Sequence, residues 1–158
     1  MMEQITLTTP TVTSGITASE LYRLINQPAT TNGEAATIEW PEGDITLDET
    51  NQTLIWELND YGNLPITLSR SENEWIAMAP IVAVDSVKNS TELNTVLLRQ
   101  GIALPLASVG IVEIDGRDFY VAYGQLFGDS KLESICAELH ATASAAMDVA
   151  ELIQTHFV

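Results

Sequence analysis

The dipeptide Asp115-Gly116 stands between two apolar runs, Val109 to Ile114 and Phe119 to Tyr123, and dictates how this stretch of chain can turn. A type I′ turn needs positive φ at both central residues, and Asp followed by Gly adopts it at low cost, so the runs are expected to pair as an antiparallel hairpin. Both arms are apolar on alternate and intervening positions alike. Val109, Ile111, Phe119, Val121 and Tyr123 are assigned to one face and Val112, Ile114, Tyr120 and Ala122 to the other, which predicts central strands covered on two sides. The helices to cover them are expected from Thr91 to Gln100 and from Lys131 to Phe157.

The rest of the chain supplies those elements. Thr17-Ala18-Ser19-Glu20 has the spacing of a capping box, and Leu21, Leu24 and Ile25 mark one face of a short first helix that Pro28 stops. Strands are expected at Ala36 to Trp40, Ile45 to Leu47, Thr53 to Leu58, Leu64 to Ser69 and Glu74 to Val84, each parted from the next by Gly, Pro, Asn, Asp or a polar tip. Pro80 cannot donate to a ladder, so the last of these is expected to bulge or lie at an edge around Met78 to Pro80. Asn89 or Ser90 caps the second helix, whose face is Leu93, Val96, Leu97 and Gln100, and Gly101 is placed to end it. Ser130-x-x-Glu133 reads as a second capping box, opening a long helix with a buried stripe of Leu132, Ile135, Cys136, Leu139, Ala143, Ala146, Ala150, Ile153 and Phe157. The order of elements is α+β, a single antiparallel sheet with helices packed on it. Residues 1–15 form an N-terminal arm and 16–158 one domain.

Composition narrows the partners. Against 6 basic residues stand 22 acidic ones, a formal charge of -16. That surface repels phosphate backbones and anionic headgroups, which argues against nucleic acid and peripheral membrane binding. The apolar stretches Trp75 to Val84 and Gly101 to Val112 are interrupted by proline and fall short of the roughly 18 residues of a spanning helix. With one cysteine, no secretory leader and no internal disulfide, the expected compartment is the cytoplasm.

Candidate chemistry is sparse. Cys136 and His140 lie one helical turn apart, but a zinc site needs two further ligands, and a thiol nucleophile needs an orienting acid and an oxyanion hole that no motif supplies. Glu113, Asp115 and Asp118 cluster at a hairpin tip, where water defeats the pKa separation an acid/base pair requires. No calcium loop or phosphate cradle is spelled out. The expectation is therefore no catalytic residue, no metal and no cofactor. Apolar residues in excess of one buried face need cover, which singles out Leu97, Leu98 and Arg99 with Trp56 and Trp75 as partner contacts.

The element order, size and charge resemble the class I type III secretion chaperones, with their α-β-β-β-α-β-β-α arrangement. The run Leu64-Pro65-Ile66, Val84 to Lys88, Leu93-Asn94, Leu97-Leu98-Arg99, Leu104-Pro105-Leu106, Val109-Gly110-Ile111 and Tyr120 to Gly124 resembles the bacterial YjfI-like family, departing from its pattern at Leu93 and Gln100. These resemblances imply a cytoplasmic homodimer that binds protein without catalysis, with a phage-shock-protein-A-like coiled coil in envelope stress as the implied partner. The alternatives are a structural subunit of a larger assembly and a small hydrolase-like enzyme.

Overall fold

The Asp115-Gly116 corner makes the expected turn, with φ of 50° and 80° at its two residues and Ile114 paired to Arg117 across it. The computed structural model describes residues 15–27 and 38–158. In chain order the elements are α1 (Ala18–Asn26), β1 (Gly43–Asp48), β2 (Thr53–Leu58), β3 (Leu64–Arg70), β4 (Glu74–Ala83), α2 (Ser90–Gln100), β5 (Ser108–Ile114), β6 (Arg117–Phe127) and α3 (Leu132–His156). The six strands form one sheet in the order β1-β2-β3-β4-β6-β5, antiparallel at every step. This is the α+β architecture expected, with four strands before α2 where the chaperone arrangement has three. The expected arm and the loop up to Gly33 fall almost wholly outside the described residues, as do the first residues of the strand expected from Ala36. Residues 38–40 are irregular, and Trp40 instead lies against Trp56 with ring centroids 6.2 Å apart.

Register corrects the reading of the hairpin in two respects. A two-residue loop sets residues summing to one odd number opposite each other, so Ile111 faces Tyr120 and Val112 faces Phe119. Directly opposed residues share a face. Val109 and Ile111 therefore stand with Tyr120 and Ala122, not with Phe119 and Val121. The second correction is that β5 is an edge strand, half exposed along its length, and only β6 is central. Apolar alternation cannot distinguish the two, because an edge that receives a partner also carries apolar residues on both faces.

All three helices pack on one side of the sheet. Ala18 and Leu21 of α1 join Trp56, Leu54, Ile66, Leu68 and Trp75 of the strands and Ile135, Leu139 and Ala143 of α3 in the main core. Small residues let α3 settle close: Ala143, Ala145 and Ala146 share that core with Ala77, Ala79 and Ala122. A second cluster joins Leu93 of α2, Tyr120 of β6 and Val149, Ile153 and Phe157 at the end of α3. The bulge expected near Pro80 falls between Pro80 and Val82, beyond the last β3 partner at Met78, so no β3 ladder bond is lost to the proline.

Caps explain where the helices start. The Thr17 hydroxyl accepts from the Glu20 N–H at 3.1 Å while the Glu20 carboxylate accepts from the Thr17 N–H at 2.8 Å, completing the box. Asn89, with φ of 54°, accepts from the Glu92 N–H at 3.3 Å. The expected Ser130 box does not form. The Ser130 N–H donates instead to the Phe127 carbonyl, and Lys131 becomes the N-cap with no side-chain bond. Gly101 ends α2 in a right-handed conformation and leads into a short 3-10 turn, so it is not the left-handed cap its position suggested.

Candidate protein-interaction surface

Among the expected contact residues the fold separates two groups. Trp56 and Trp75 are 0% and 1% exposed, on the helix side of the sheet, and are core. Indoles on strands that a helix covers bury roughly 200 Å² each, and that burial outweighs any surface role. Leu97, Leu98 and Arg99 lie in the last turns of α2, with Leu97 half-buried and Leu98 84% exposed.

These α2 residues border a cleft. Asn94, Leu97 and Leu98 line one wall and Val109, Gly110 and Ile111 of edge strand β5 the other, around about 240 Å³. Tyr120 closes the floor. Its hydroxyl donates to the Asn94 side-chain carbonyl, and burial pushes that phenol above its ordinary pKa. The bond fixes α2 over the sheet, since Leu93 is the only fully buried side chain that α2 contributes. Ile111 on the β5 wall is 47% exposed, and in the connection from α2 to β5 Ile102 and Leu106 are 99% and 74% exposed. The sequence reading missed Asn94, Tyr120 and the β5 wall because it placed both hairpin arms indoors. A charge signal was available: from Leu93 to Val112 the chain has no Asp or Glu.

Cys136 and His140 share one main-chain partner. Sγ of Cys136 donates to the Glu39 carbonyl at 3.3 Å, and Nε2 of His140 lies 3.2 Å from the same oxygen. A carbonyl only accepts, so Nε2 carries the proton and, in the neutral ring, Nδ1 accepts from the Tyr61 hydroxyl at 3.0 Å. Burial, with the Glu39 carboxylate second, pushes the Cys136 thiol up to about 11. A thiol so held is a poor nucleophile. Glu113, Asp115 and Asp118 are exposed at the tip, as expected. Among the described residues no group of three His, Cys, Asp or Glu side chains is placed to hold a metal ion, and no helix is long and apolar enough to cross a membrane.

Comparison with known proteins follows the same outline. Residues 16–157 match the family described as "Uncharacterized protein conserved in bacteria (DUF2170)". The uncharacterized protein YjfI of Escherichia coli, in strain K12 and in O157:H7, is 34% identical over 116 residues, 73% of this chain and 87% of YjfI. Among solved structures, the ExsC-ExsE complex superposes with a TM-score of 0.56 at 18% identity, over 86% of this chain and 95% of the other. YbjN from E. coli superposes with a TM-score of 0.56 at 13% identity, over 93% and 96%. At these identities the structural likeness speaks for the fold.

Proposed function

The chain belongs to the DUF2170 family of uncharacterized bacterial proteins and is a relative of YjfI, and from that premise we propose that it is a non-enzymatic, chaperone-like protein-binding module. The observation that carries this reading is the cleft between α2 and β5, on whose walls Leu98 and Ile111 stand exposed. Extended and helical segments both fit such a place: the first adds a strand to an open edge, the second lays an apolar stripe into a groove. The fold shared with ExsC, a protein solved in complex with ExsE, supports it. The raised thiol of Cys136 and its main-chain partner support a packing role for that residue rather than catalysis.

In its finer form the proposal is a cytoplasmic protein that meets a phage-shock-protein-A-like coiled coil in envelope stress, as the YjfI-like resemblance implies. The test is to mix the protein with such a coiled coil at low salt and follow co-elution. Co-elution that Leu98→Asp abolishes supports the assignment of partner and face. Separate elution overturns the partner, and co-elution indifferent to Leu98→Asp overturns the face.

A further inference from the structure

We infer that Glu138 acts as a proton-operated catch between α3 and β6: the opening turns of α3, Leu132 to Leu139, stay seated while its carboxyl is protonated and lift when it ionises. The seat is backbone. A Cβ on Gly124 would stand 1.6 Å from Oε1 of Glu138, so the carboxyl rests on the main chain of β6 with no side chain between them. Oε1 has no hydrogen-bond partner, and one turn further along the same face Thr142, 0% exposed, has an unpartnered Oγ1. Burying a carboxylate without a partner costs far more than burying a carboxylic acid. Ionisation and seating therefore compete.

The groups around the seat leave that conflict in place. On the helix side of the sheet Trp75, Ala77 and Ala79 of β4 pair with Leu126, Gly124 and Ala122 of β6, none of them titratable. The connection 101–107 carries no titratable side chain either. Within one turn of Glu138 on α3 stand Ser134, Ile135, Ala141 and Thr142, with Lys131 and Glu133 further back at the N-cap and in the first turn. Cys136 and His140 are turned to the Glu39 carbonyl. Arg70 of β3 lies over the Trp75 ring at 5.8 Å and donates to the carbonyls of Ile16 and Ser71. Burial accordingly moves the Glu138 carboxyl above its ordinary 4.5, toward neutral pH. Opening starts at this end because Lys131 caps α3 without a side-chain bond, whereas Val149, Ile153 and Phe157 hold the far end in the second cluster. It withdraws Ile135 and Leu139 from the core they share with Trp75 and Leu126. The catch acts whatever the cleft between α2 and β5 receives.

Hydrogen exchange followed peptide by peptide at about pH 5 and pH 8, corrected for the intrinsic rate at each, tests this. Protection over Leu132–Leu139 is expected to fall by at least about tenfold as the carboxylate forms. Thr53–Leu58 of β2, in the middle of the core, is expected to keep its protection. Glu138→Gln, and Glu138→Met as a second uncharged side chain of similar length, are expected to hold the protection of α3 at both pH values. A parent whose α3 protection does not change, a fall shared equally by Thr53–Leu58, or a fall that persists in the uncharged variants overturns the inference.

Discussion

The carboxyl group of Glu138 fills the space that a Cβ on Gly124 would occupy. α3 thereby sets an ionisable side chain, 7% exposed, directly against the backbone of β6, and Oε1 has no hydrogen-bond partner there. Burial raises the Glu138 pKa above its ordinary value of 4.5.

A group that binds its proton more tightly when folded stabilises the protein less as pH rises. The loss begins at the ordinary glutamate value, grows as pH climbs to the raised folded value and is constant above it. Glu138→Gln is therefore expected to be more stable than the parent at pH 8 by about 1 kcal/mol, and to approach it at pH 4. Urea denaturation at the two pH values measures the difference. Equal gains at both would show that charge is not what is being relieved.

Gly124→Ala is expected to destabilise by about 1–3 kcal/mol, because the added methyl displaces the Glu138 side chain from a packed interface. Combining it with Glu138→Ala should recover a large part of that loss, a coupling that a double-mutant cycle reads directly.

Cys136 is buried, and its thiol stands at about 11. Alkylation by iodoacetamide at pH 8 is expected to run at least about 100-fold slower in the native protein than in urea, because little thiolate is present and access is poor. Rapid native labelling would instead identify a reactive cysteine.

Tyr120→Phe removes the hydroxyl that bonds Asn94 and is expected to cost about 1 kcal/mol. Since α2 contributes only Leu93 as a fully buried anchor, hydrogen exchange should accelerate over Ser90–Gln100 more than over Leu132–His156.

The two sets of expected contacts separate by stability. Trp75→Ala should cost about 3–5 kcal/mol as a core truncation, whereas Leu98→Asp should stay within about 0.5 kcal/mol of the parent. Thermal denaturation of the pair distinguishes a core tryptophan from a surface leucine.

Local chemistry in the sequence determined a good deal of this molecule. Asp115-Gly116, the Thr17 box, the Asn89 cap and the break at Pro80 act over a few residues, and each appears close to where its own backbone preference puts it. The three-and-four spacing of α3 likewise marked its buried side, because a helix repeats whatever lies beside it. Tertiary structure decided which strand stands at the edge, which residues of the hairpin share a side, that Trp56 and Trp75 face α3 and α1, and that Glu138 lies against Gly124. Those outcomes depend on neighbours far away in the chain. An apolar strand reads the same whether a second strand, a helix or another molecule completes its burial.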